Sequence, residues 1–152
     1  MVRIRLIAVG RLKEKFYIGA CEEYLKRLRT MANAEILELP EESGRPDGLR
    51  REAARILDAI PKQSYVIALC IEGKTMDSPG LARVLADAQN RGYSQIALII
   101  GSSDGLDDSV KQRADLRLSM SPMTFPHHLA RVMVLEQVYR ALSINAGSKY
   151  HK

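Results

Sequence analysis

The chain has 152 residues, 46% hydrophobic and 27% charged, the size of one globular domain that buries roughly 70% of its unfolded surface. No apolar run approaches the ~18 residues of a membrane-spanning helix, so a helical membrane protein is excluded and the expected compartment is the cytoplasm. Net charge is +5, and residues 1–30 carry eight Lys/Arg against three Glu while the rest of the chain is balanced, which predicts a basic surface facing a polyanion.

Five apolar runs read as strands: IRLIAVG (4–10), EILELP (35–40), YVIALCI (65–71), QIALIIG (95–101) and LRLSM (116–120). Helix-like stretches fall at about 14–30, 47–60, 79–91, 106–114 and 126–143. The opening MVRIRLIAVGRLKEKF is a strand rather than a secretory leader, because Arg3 and Arg5 break its apolar stretch and no small-residue cleavage site follows. Gly44, Pro46 and Gly48 mark a turn after the second strand. Pro79 and Gly80 open the third helix, and Pro126 suits the first turn of the last. Strict β–α alternation with apolar strands predicts a single α/β domain over residues 1–152, with a mostly parallel sheet covered on both faces. Cys21 and Cys70 stand apart among apolar neighbours and read as buried, reduced thiols.

Ligands of such sheets gather at the carboxyl ends of the strands, here LCIEGKT, GSSDG and MSPMTFPHH. EGKT (72–75) lacks the glycine five positions before Gly73, where Ala68 stands, and is no phosphate loop. GSSDG (101–105) fits a nucleophile elbow with Ser103 as a hydrolase serine, Asp108 or Asp115 and His127 or His151 following; a tight turn that lets backbone approach a ligand is the competing reading. His127 and His128 are adjacent, so on a helix they diverge by about 100° and cannot share a metal ion. No metal site is expected. Prolines and methionines of that loop instead shape an apolar wall.

On the last helix Val132, Val134, Leu135, Val138, Tyr139, Ala141 and Leu142 sweep a very wide apolar arc that includes Arg131. Such an arc predicts cover on more than one side, by the sheet and by a second subunit. Arg131 then requires a partner. Glu136 and Arg140 are spaced for an i, i+4 ion pair. The tail ends in Tyr150, His151 and Lys152, an aromatic, an imidazole and an ammonium able to stack on and orient a base.

LIIGSSDGL, LSMSPMTFPHHLARVMVLEQVYRALSIN and the terminal YHK closely resemble the ribosomal RNA methyltransferases of the RlmH family, small members of the SPOUT class. The likeness runs from IRLIAVGRLK through LCIEGKTMDS to the last residue. It implies one α/β domain with a C-terminal trefoil knot, acting as a homodimer. In such a dimer one subunit's tail is expected to complete the other's pocket. The likeness further implies transfer of a methyl group from S-adenosylmethionine to N3 of a pseudouridine in large-subunit (23S) ribosomal RNA, on the assembled ribosome. Carried over by position, the cofactor-binding residues are Leu69, Gly101, Met120, Ser121, Pro122, Met123, Thr124 and Phe125. The reaction-side residues are Glu136, Arg140, Tyr150, His151 and Lys152. Arg140 would stabilise negative charge on the base, His151 or Glu136 would take its proton, and Tyr150 would stack on it. Relatives often carry glycine at the place of Ser102 and an acid at that of Cys70. A serine hydrolase at Ser103 and a non-catalytic ribosome-binding module are the alternative classes.

Overall fold

The computed structural model describes residues 1–152. Its first strand, β1 (Val2–Val9), puts Ile4 and Leu6 on one face and Ile7 and Val9 toward the other, all fully buried. Helix α1 (Lys15–Leu28) follows, then β2 (Ala32–Leu39), α2 (Gly48–Ala59), β3 (Ser64–Lys74), α3 (Ser78–Asn90), β4 (Gln95–Ile100), α4 (Asp108–Arg113), β5 (Leu116–Leu118) and α5 (His127–Asn145). The strands form one all-parallel sheet in the order β2-β1-β4-β3-β5. Helices α1, α3 and α5 cover one face over a core containing Leu6, Leu28, Leu85, Leu98 and Leu135. Residues of α2 and α4 cover the other over Ile7, Ile56, Val66, Ile99 and Val110. This is the α/β architecture that the strand–helix alternation predicts.

Departures from the expected boundaries have local causes. β2 begins at Ala32, three residues before the apolar run, because it pairs with β1 from Val2 onward, and the polar Asn33 between two small alanines disguises that part. β3 extends to Lys74: Leu69 and Lys74 both face Leu118 on β5, and the intervening residues bulge out, leaving Ile71 74% exposed. EGKT is therefore the end of a strand. A Cβ on Gly73 would lie 2.7 Å from the Leu118 carbonyl carbon, so glycine is required for β5 to approach. β5 stops at Leu118, and the Ser119 amide still donates to the Lys74 carbonyl at 2.9 Å before the chain turns away.

Helix starts carry their signals. Asp77 caps α3 by accepting from the Gly80 amide at 2.7 Å, and Asp107 caps α4 by accepting from Ser109 at 3.1 Å. Pro126 sits at the cap of α5 rather than in its first turn. α5 lies between α1 and α3. Two flanking helices and the sheet thus account for much of its wide apolar arc, leaving Leu129, Val132 and Met133 only half-buried.

Arg131, 1% exposed, has the partner that its position demanded. Its Nη1 donates to Glu38 Oε2 at 2.6 Å and its Nη2 to the Gly10 carbonyl at 3.1 Å. The same Glu38 oxygen accepts from the Leu12 amide at 2.9 Å. A buried guanidinium thereby fastens α5 to the carboxyl ends of β1 and β2.

Candidate active site

The carboxyl ends of β3 and β5, the start of α3 and the middle of α5 enclose a cavity of about 750 Å³. Leu69, Leu98, Leu118, Met120, Val134 and Val138 make its walls apolar. Its polar groups are few: Asp77 and Ser78 on α3, Ser119 after β5, Glu136 and Gln137 on α5, and His151 from the tail. An apolar hollow of this size with a handful of convergent polar groups suits a small organic ligand.

Glu136 and Arg140 occupy adjacent turns of α5, and Arg140 Nε donates to Glu136 Oε1 at 2.6 Å. That ion pair holds the Arg140 guanidinium above its usual range. Glu136 Oε2 is buried and has no hydrogen-bond partner. Arg140 Nη1 lies 3.0 Å from His151 Nδ1, and its Cζ sits 4.8 Å from the centre of the Tyr150 ring. Tyr150 in turn packs edge-on against Tyr139 at 4.7 Å. The tail, though short and polar, is tied to α5 of its own chain and carries His151 to that chain's own cavity. Lys152 is exposed.

The carried-over cofactor positions divide. Leu69 and Met120 line the cavity. Gly101 is buried at the end of β4, where a Cβ would run into the Gly105 carbonyl; the turn folds back as the Gly105 amide donates to the Ser102 carbonyl at 2.9 Å. Ser121 braces its loop, its carbonyl accepting from Ser119 Oγ at 3.2 Å and its Oγ from the Met123 amide at 3.0 Å. Pro122, Met123 and Thr124 project into solvent, Met123 74% exposed, and Phe125 is half-buried. Sequence reasoning missed Met76, Asp77, Ser78 and Pro79 at the start of α3, and Gln137, whose Oε1 accepts from Ser78 Oγ at 2.6 Å. Their cap signature is legible as D-S-P-G; its neighbourhood to α5 is not.

Ser103 is exposed, makes no side-chain hydrogen bond and has no imidazole beside it, so the hydrolase reading fails on geometry. Asp115 is occupied elsewhere, accepting from the Val66 amide at 2.8 Å. Ser102 is buried and turned toward α2, its Oγ donating to the buried Glu52 Oε1 at 3.2 Å. His127 and His128 have ring centres 4.1 Å apart and planes tilted by 45°, beside a second cavity that also holds Gly10, Glu14, Glu38 and Glu41. Burial, followed by the neighbouring His128, pushes the His127 pKa down. Burial likewise raises the Cys21 and Cys70 thiols. The basic N-terminal segment does not form one face: Arg11 and Lys13 lie at the carboxyl edge of the sheet, and Arg3, Arg5 and Arg29 at the amino edge.

The fold has known counterparts among methyltransferases. The structure resembles a probable methyltransferase from Bordetella pertussis Tohama I (TM-score 0.59, 13% identity, 93% of this chain and 95% of that one). It also resembles a tRNA (m1G37) methyltransferase from Aquifex aeolicus (TM-score 0.55, 15% identity, 90% of this chain and 69% of that one). At such identities the likeness concerns the fold. A family model described as predicted SPOUT methyltransferase matches residues 2–151, and the chain belongs to that family. Among individual proteins it is similar to the ribosomal RNA large subunit methyltransferase H of Oenococcus oeni, 42% identical over 160 residues and covering all of both chains. That of Clostridium novyi is 45% identical over 159 residues, covering 99% of this chain and 100% of its own.

Proposed function

We propose that this protein methylates large-subunit (23S) ribosomal RNA with S-adenosylmethionine as donor, at N3 of a pseudouridine, on the assembled ribosome. What carries the reading is one juxtaposition: Glu136 and His151 line the apolar cavity at the strand ends, and Arg140 joins them, donating to Glu136 and lying 3.0 Å from His151. The names of full-length relatives more than 40% identical support RNA of the large subunit as substrate.

The residues fit the donor. Leu69, Leu118 and Met120 offer apolar surface to a nucleoside, and the Asp77 and Glu136 carboxylates complement a cationic sulfonium. When bound, S-adenosylmethionine supplies an already activated methyl group. The chain's task is to align the accepting nitrogen and to remove its proton. Glu136 Oε2, buried and unpartnered, is the proton acceptor. Arg140, held by Glu136 on one side and His151 on the other, directs positive charge at the carbonyls of the base, where negative charge grows as the proton leaves. Tyr150 presents a ring for stacking.

The same reading includes a cytoplasmic homodimer. The half-buried Leu129, Val132 and Met133 form one stripe on α5 that supports it. The segment between β5 and α5 would thread the knot of the SPOUT class. Labelled methyl transfer to ribosomes from cells that lack this protein, followed by mass mapping, tests the function. A single N3-methylpseudouridine in the large subunit is the expected product; a methyl on another nucleotide, or none, refutes it.

A further inference from the structure

At the opposite edge of the sheet from the candidate site, the amino ends of β1, β2 and β4 frame an open cavity of about 500 Å³. Side chains alternate along a strand, so Arg3 and Arg5 leave β1 on one face, the face that Ile7 and Val9 fill with core farther along. The parallel register sets Asn33 and Gln95 on either side of Arg3, and Glu35 beside Arg5. Arg29 enters from the end of α1.

The charges in this hollow do not cancel. Glu35 is matched by Arg5, whose Nε donates to it at 2.6 Å and whose Nη1 donates to the Ala59 carbonyl at 3.0 Å. Arg3 and Arg29 pair with no carboxylate and are exposed. The cavity at the other end of β1 differs: its Arg11 and Lys13 share the space with Glu14, Glu38 and Glu41. Two unneutralised guanidiniums beside two side-chain amides match the forked geometry and hydrogen-bonding capacity of phosphate and ribose oxygens.

We propose that the Arg3–Arg5–Arg29 cavity is a second RNA-backbone site, gripping phosphates of the RNA whose base enters the cavity at α5. This rests on the methyltransferase reading above and adds to it a second point of contact with the same RNA. From Arg3 to Gly10 the strand runs about 23 Å at the usual rise per residue. An RNA that occupies both sites must therefore span at least about 23 Å, beyond the reach of a single nucleotide.

The test uses the full-length protein with two probes, assembled ribosomes and protein-free 23S ribosomal RNA. Arg3→Gln/Arg29→Gln should raise the dissociation constant about tenfold near 0.1 M salt and flatten the slope of log affinity against log salt by roughly two. Arg3→Lys/Arg29→Lys should keep most of the binding, and affinity for S-adenosylmethionine should not change in either. Both positions are exposed, so unfolding is not expected, and melting curves check it. Unchanged RNA affinity and salt slope in the folded glutamine variant overturn the proposal. Weakened binding to intact large subunits with unchanged binding to bare RNA also overturns it, since that pattern marks an acidic protein partner. If the unmodified protein transfers no methyl to ribosomes, the underlying function fails; if it does and only the arginine effect is missing, this site alone is wrong.

Discussion

Arg140 Nη1 stands 3.0 Å from His151 Nδ1, and because a guanidinium can only donate, that imidazole nitrogen accepts. The remaining proton of a neutral His151 then sits on Nε2, which makes the residue a donor toward the cavity. A side chain that keeps a donor there should preserve more function than one that does not. His151→Gln is expected to retain at least about tenfold more methyl transfer than His151→Ala. Equal loss in both, measured by single-turnover kinetics, would contradict the donor role.

Glu136 is the complementary case. Its Oε1 is taken by Arg140, and its Oε2 is buried with nothing to bond. Glu136→Gln keeps the shape and removes the base, so turnover should fall on the order of a hundredfold or more while S-adenosylmethionine still binds. Rapid-quench rates beside calorimetric titration separate the two. Loss of binding with an unaltered rate at saturation would show a structural role instead.

A third prediction concerns the clamp that Arg131 makes between α5 and the ends of β1 and β2. Arg131→Ala leaves Glu38 and the Gly10 carbonyl without their donor. Removing one member of a buried pair costs about 3–5 kcal/mol; Glu38 is 37% exposed and can rehydrate, which favours the lower end. About 3 kcal/mol corresponds to a melting temperature lower by roughly 6–12 °C. Calorimetry reads this directly, and a shift under about 2 °C would mean the clamp is not under tension from burial.

The arginine clamp also illustrates what the sequence could convey. A charge inside an apolar helical arc announces that a partner exists, but Glu38 is 93 residues away and the sequence has no means of naming it. Strand and helix order were legible because apolar runs and cap residues are local signals. The bulge in β3 was not, since EGKT looks like a loop until β5 is known to pass against Gly73. At the candidate site, Glu136 and Arg140 were readable from their spacing. The contribution of Asp77 and Ser78 was hidden because α3 meets α5 only in the folded chain. The basic first thirty residues read as one surface; β1, running from one edge of the sheet to the other, divides them.

Acid should destabilise the protein through His127. Its folded pKa is lowered from 6.5 by burial and then by His128, so the unfolded chain takes up protons first as pH drops. Stability associated with the neutral ring is complete above about pH 6.5 and is lost as pH falls through the lower folded value. Glu41 opposes the shift and Arg131 reinforces it. Melting temperature should decline between about pH 7 and pH 5, and His127→Gln should decline less over that interval. Parallel curves for the two proteins would remove His127 as the cause.

The central claim is that the cavity bounded by Leu69, Leu118, Met120 and Val138 receives the methyl donor. A crystal structure with S-adenosylmethionine bound tests it most directly. The nucleoside should lie in that cavity with its methyl toward Glu136, Arg140 and His151. A ligand seated instead in the hollow beside Gly10, His127 and His128, at the far side of the sheet's carboxyl edge, would contradict the account.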